Sequence, residues 1–181
     1  MSWSKRLSGT LGGMVVLATA VLAGCTFSPV YGPTPGGRAV ASDLSAITIS
    51  SPPSPLADPV VSRVEQKVRN DLIFAFTGGS GAVPPRYTLK LNTIVSQTLL
   101  GVTRIETAPS YSVRVAVSYE LAELKGGRIV ARGVANGVAS YDRLNQAFAN
   151  VRAQQDAEER AASAAADDIR IRLATALASG A

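Results

Sequence analysis

Apolar and polar residues alternate along three long runs of this chain, and each run predicts a strand. From Arg86, residues Tyr87, Leu89, Leu91, Thr93, Val95 and Leu99 fall on one side, with Arg86, Thr88, Lys90, Asn92 and Ser96 on the other. From Tyr111, the apolar side is Tyr111, Val113, Val115, Val117, Tyr119 and Leu121, opposite Ser112, Arg114, Ala116, Ser118 and Glu120. The third run sets Ile129, Ala131, Gly133, Ala135, Ala139 and Tyr141 against Val130, Arg132, Val134, Asn136 and Val138. Its small side has room for a closely packed helix. Lys125-Gly126-Gly127-Arg128 is a hairpin turn signal. Three alternating strands joined by short turns predict an antiparallel meander with one covered and one polar face. Ile94, Val130, Val134 and Val138 place an apolar patch on the nominally open face, which suggests a partner.

Two helical periods flank the meander. Asp58-Pro59 pairs an acidic N-cap with proline at the first helical position. Val60, Val61, Val64, Val68, Leu72 and Ala75 follow at helical spacing until Gly78-Gly79. Gln146 to Ala178 is a second helix with a stripe of Phe148, Val151, Ala162, Ala165, Ile169, Leu173 and Leu177. Ahead of them, Ile47 and Ile49 alternate in a short first strand, and Pro52, Pro53 and Pro55 break it. The predicted order is β-α-β-β-β-α. The expected fold is α+β, a two-layer sandwich with two helices on one face of a four-stranded mixed sheet.

The N-terminal region follows neither period. Lys5 and Arg6 precede an apolar run from Leu11 to Ala23, and Ala23-Gly24 leads into Cys25. This is the pattern of a secretory leader with small residues at the cut site. It resembles a bacterial lipobox, so Cys25 is the expected lipidation site and new N-terminus. Multiple acyl chains make a stable membrane anchor. Thr26 stands where enteric-type sorting uses aspartate for inner-membrane retention, so the outer membrane, facing the periplasm, is the expected address. Pro29, Gly32, Pro33, Pro35, Gly36 and Gly37 predict a flexible tether. The expected organisation is residues 1–24 signal peptide, 25–45 lipidated tether and 46–181 one folded domain.

Composition mainly excludes. The chain has 181 residues, one cysteine and no histidine. A Cys/His zinc site, a Ser-His-Asp or Cys-His nucleophile pair and an internal disulfide are therefore ruled out. Removing Lys5 and Arg6 from 18 basic residues leaves 16 against 13 acids, net +3. That charge is too mild to demand nucleic acid, which usually needs a concentrated basic face. Gly78-Gly79-Ser80-Gly81 lacks the Gly-Lys-Ser/Thr ending of a phosphate loop. The acidic clusters Asp156, Glu158, Glu159 and Asp167-Asp168 have arginines beside them and predict a solvated helix face. No catalytic constellation is present, and no enzyme or cofactor beyond the lipid on Cys25 is expected.

Cys25-Thr26-Phe27-Ser28-Pro29-Val30-Tyr31-Gly32, the junction Ala139-Ser140-Tyr141-Asp142 leading into Gln146-Ala147-Phe148-Ala149-Asn150, and the Ala-rich acidic run from Asp156 to Leu173 together resemble the LptE family of lipopolysaccharide-assembly lipoproteins. The resemblance implies a non-enzymatic outer-membrane lipoprotein. Such a protein plugs an LptD-like β-barrel as a one-to-one heterodimer, aids assembly of that barrel and binds lipopolysaccharide bound for the outer leaflet. It also implies that a basic residue in the turn 101–107 contacts lipopolysaccharide, which points to Arg104. A second basic position near the start of the last helix points to Arg152, with Arg143 as fallback, and Asn150 stands where the family has lysine. Lys90 and Arg132 complete the candidate set, because basic side chains on an exposed strand face suit a phosphorylated lipid. The alternative is a lipoprotein subunit of a phospholipid-transport system.

Overall fold

The computed structural model describes residues 40–50, 58–79, 83–101 and 109–179. Cys25, the tether up to residue 39 and the turn that carries Arg104 lie outside the described residues. The elements are α1 (Val40–Ser45), β1 (Ile47–Ser50), α2 (Pro59–Thr77), β2 (Tyr87–Gly101), β3 (Ser110–Glu123), β4 (Ile129–Asp142) and α3 (Ala147–Ala178). The sheet order is β1-β2-β3-β4, with β1 parallel to β2 and the rest antiparallel. This is the expected mixed sheet in an α+β fold, with one helix added at the front.

That added helix corrects the tether boundary. Residues 40–45 were expected to belong to the tether, but Val40 and Leu44, one helical turn apart, are buried at 1% and 3% exposure. Asp43 accepts a hydrogen bond from the Arg86 guanidinium. Six residues form no stable helix alone, so these long-range contacts hold α1.

Local signals set the ends of α2. The Asp58 carboxylate accepts from the Val60 N–H at 2.7 Å, and Gly78 takes a left-handed φ of 59° while its N–H bonds to the Phe74 carbonyl. Val64, Val68, Leu72 and Phe76 form the buried stripe. Ala75, expected on that stripe, is exposed, because the i, i+4 row passes through Phe76 instead.

The meander buries Leu89, Leu91 and Thr93 of β2, five residues of β3 from Val113 to Leu121, and Ala135, Ala139 and Tyr141 of β4. Two expectations fail at the ends. Leu99 is 46% exposed, because β2 loses its helical cover from Ser96 onward. Ile129 is 47% exposed, because a register shift after Leu121 leaves Val130 as the extra residue of a bulge. Val130 itself packs partly against the core, so it leaves the open-face patch, which keeps Ile94, Val134 and Val138. Gly126 and Gly127 have φ of 95° and 66°, which is the turn chemistry the Lys125–Arg128 segment requires.

Helix α3 lies over β4 through alanines at 157, 161, 162, 165 and 166, all buried. Its first turns overhang the sheet. Phe148 and Val151, expected in the stripe, are 80% and 53% exposed. Glu158 overturns the expectation of a fully solvated acidic face. It is 2% exposed, its Oε2 lies 2.7 Å from Nη2 of Arg63, and its Oε1 accepts from Gln154 at 2.9 Å. Burial of a carboxylate is tolerated because both oxygens are satisfied. Ser163 donates to Asp71 at 2.8 Å and Lys67 pairs with the same carboxylate, so a polar seam joins α2 to α3.

Candidate functional site

Because both long helices cover one face of the sheet, the other face of β2, β3 and β4 stands open. The register brings Lys90, Glu120 and Arg132 into one cross-strand row. Two of the candidate cations, far apart in sequence, thus become neighbours around a carboxylate. They line a shallow hollow of about 580 Å³ with Asn92, Ser118 and Val134. Ile94, Val134 and Val138 are 59%, 49% and 51% exposed on the same face. Arg114, opposite Ser96 and Val138, adds a third cation that sequence reasoning did not select. Its place at a polar position of a period-two run was the available signal.

Charge pairing separates the two layers. Of the seven basic residues on α2 and α3, Arg63, Lys67, Arg160, Arg170 and Arg172 sit in ion pairs. On the open face, Lys90, Arg114, Arg132 and Glu120 form no ion pair among the described residues, although opposite charges share a row. The helical layer is internally neutralised, and the open face keeps its cations available to a partner.

A second concavity lies at the β4–α3 junction. Gln97, Tyr111, Tyr141, Arg143, Leu144, Asn150, Val151 and Gln154 are among the residues lining a cleft of about 810 Å³. The Tyr111 and Tyr141 rings stack at 5.5 Å between centroids. Burial pushes the Tyr141 phenol above its ordinary pKa, and the hydrogen bond from Gln97 opposes that shift. Arg143 borders this cleft, and its N–H donates to the Pro109 carbonyl at 3.0 Å. Arg152 is exposed on α3, 3.4 Å from Gln155, and does not line the cleft. Asn150 braces the start of α3, since its amide donates to the Leu144 carbonyl and accepts from the Leu144 N–H, each at 2.7 Å.

Among the described residues, no group of three or more His, Cys, Asp or Glu side chains could hold a metal ion. No described helix is long and apolar enough to cross a membrane.

Residues 44–173 match the family model of LptE, described as lipopolysaccharide-assembly. The chain belongs to the LptE family. A solved candidate lipoprotein from Caulobacter crescentus CB15 is 30% identical, with a TM-score of 0.60, over 78% of this chain and 97% of that one. A minor lipoprotein from Acinetobacter baumannii is 15% identical over 71% and 89%, with a TM-score of 0.46. The rare lipoprotein B of Shewanella oneidensis is 18% identical over 74% and 94%, with a TM-score of 0.44. No curated protein sequence matches the chain. Membership in LptE makes this an envelope lipoprotein of lipopolysaccharide assembly, a family without enzymatic activity or cofactor. It favours that role over phospholipid transport.

Proposed function

We propose that the protein is anchored by lipid on Cys25 to the periplasmic side of the outer membrane and pairs one-to-one with an LptD-type β-barrel. There it acts as the barrel's plug, aids its assembly and binds lipopolysaccharide on its way to the outer leaflet. The family match over residues 44–173 carries this reading. The surface agrees with it: an open sheet face with unpaired cations and exposed Ile94, Val134 and Val138 is suited to contacts that the neutral helical layer is not. The basic residues proposed to contact lipopolysaccharide are Arg104, which lies outside the described residues, Arg143 after β4, Arg152 on α3, and Lys90 and Arg132 on the open face.

Affinity purification from detergent-solubilised outer membranes tests the barrel. The expected result is a stoichiometric, heat-modifiable barrel partner. Recovery of inner-membrane transporter subunits instead would overturn the proposal. Fractionation of Cys25→Ser tests the anchor. In cells lacking the barrel, the variant should leave the membrane but remain folded, and retention in the outer membrane at normal level would refute lipid anchoring.

A further inference from the structure

Strand β4 ends the sheet, with β3 on one side and no strand on the other among the described residues. Two hydrogen bonds fix which of its backbone groups point outward. The Arg143 N–H, just past β4, donates to the Pro109 carbonyl on the β3 side, whereas the Ser140 carbonyl accepts from the Arg160 guanidinium at 3.0 Å. Direction alternates along a strand, so Arg132, Val134, Asn136 and Val138 turn N–H and C=O away from β3. None of these groups has a backbone partner among the described residues. Such a row is a template for one more strand, and edges are usually guarded by charge or proline. Between Ala131 and Tyr141 there is one charge, Arg132, and no proline. The Arg160 contact at Ser140 and the bulge at Val130 bound the open run at its two ends. Helix α3 limits what can add there. It lies directly above β4, where a Cβ on Gly137 would meet the Ala161 carbonyl. Paired strands stand about 4.8 Å apart, whereas packed helices need about 8–10 Å. A second copy pairing β4 with β4 would press two α3 helices into the narrower spacing, so a second copy does not fit. A segment without a covering helix does.

We propose that the outer edge of β4, from Arg132 to Val138, takes an extended segment of a different protein as a fifth strand. Apolar residues of that segment lie beside the half-exposed Val134 and Val138, and an acid lies beside Arg132. This rests on the pairing with a barrel protein proposed above and names a main-chain contact within it. The segment is a loop or terminus of that partner, because the strands of a closed barrel have no edge to offer.

Residue-resolved amide hydrogen exchange tests it, in the chain purified alone and in its complex with the barrel. Alone, the amides of Arg132, Val134, Asn136 and Val138 should exchange about tenfold or more faster than those of Gly133, Ala135, Gly137 and Ala139, which face β3. In the complex the first set should slow about tenfold or more. Thr93 and Val95 point away from β3 on β2, beyond the stretch that β1 covers, and their amides should not change. A variant pair gives a second measurement. Val134→Pro removes one outward N–H and leaves the β3 pairing intact, while Val134→Thr keeps that N–H and loses the apolar contact. The proline variant should bind the barrel about tenfold more weakly with a near-native melt, and the threonine variant should lose much less. If the complex forms and the outward β4 amides still exchange fast, strand addition is wrong and the barrel pairing stands. Protection of Thr93 and Val95 in their place would put the added strand on β2 and overturn the assignment to β4. Slow exchange of the β4 set in the chain alone, with dimers in sedimentation, would make a second copy the occupant and overturn the argument from α3. If no barrel is recovered, the underlying reading falls and this inference falls with it.

Discussion

A Cβ placed on Gly137 of β4 would stand 1.8 Å from the carbonyl oxygen of Ala161 in α3. The obstacle is helix backbone, which cannot rotate aside as a side chain can. Gly137→Ala must therefore lift α3 off the sheet and loosen the alanine seam. The expected loss is about 3 kcal/mol, at the upper end of ordinary overpacking. At Gly133 the nearest atom is the Tyr119 hydroxyl at 2.9 Å, the far end of a side chain. Gly133→Ala should cost about 1 kcal/mol. Urea melts of the two variants give the order; equal losses would mean α3 shifts without strain.

The Arg63–Glu158 pair should behave asymmetrically. Side-chain exposure is 44% for Arg63 and 3% for Glu158. Arg63→Met leaves a buried carboxylate with Gln154 as its remaining partner, whereas Glu158→Gln leaves a neutral group beside a cation that can turn to water. Arg63→Met is expected to be the more destabilising, by about 1–2 kcal/mol after allowance for solvent at the arginine. Equal losses in chemical denaturation would place the energy in packing and not in charge.

Tyr141 gives a pH prediction. Its folded-state pKa lies above the ordinary value of 10.0, because burial disfavours the phenolate. A group raised on folding contributes stability that is fully present below its unfolded pKa and lost as pH rises through the folded one. Stability should therefore fall from about pH 10 upward through this residue, and Tyr141→Phe should flatten that part of the profile. Gln97→Met removes the hydrogen bond that favours the phenolate, so the Tyr141 titration, followed by ultraviolet absorbance, should move higher still. Movement downward would show that the Gln97 hydrogen bond favours the neutral phenol and not the phenolate.

Arg104→Asp combined with Arg152→Asp should weaken lipopolysaccharide binding about tenfold or more while shifting the thermal melt little. Charge-assisted contacts to phosphate are stronger than neutral ones, and surface substitutions usually change stability within about 0.5 kcal/mol. The difference from the native chain should narrow as salt rises, because exposed charges are screened. Titrations at two ionic strengths with melts of each variant check it. Unchanged affinity would make both arginines ordinary surface charges. Lost affinity with a collapsed melt would make one of them structural.

The sequence by itself determined what depends on neighbours in the chain. Period-two alternation placed β2, β3 and β4, helical spacing placed α2 and α3, and Asp58-Pro59, Gly78 and Lys125–Arg128 marked ends and a turn. These signals are legible because caps, turns and side-chain periods act within a few residues. Family membership was also readable from the lipobox and the junction residues. Only the tertiary structure decided which apolar residues lie under cover. Phe148 and Val151 fit their helical stripe yet face solvent, since α3 overhangs the sheet there, while Val40 and Leu44 are buried in a segment whose composition reads as tether. Glu158 looks like one more surface acid until α2 brings Arg63 to it from 95 positions away. The meeting of Lys90, Glu120 and Arg132 in one row is likewise a property of strand register, which aligns residues by cross-strand hydrogen bonding and not by distance along the chain.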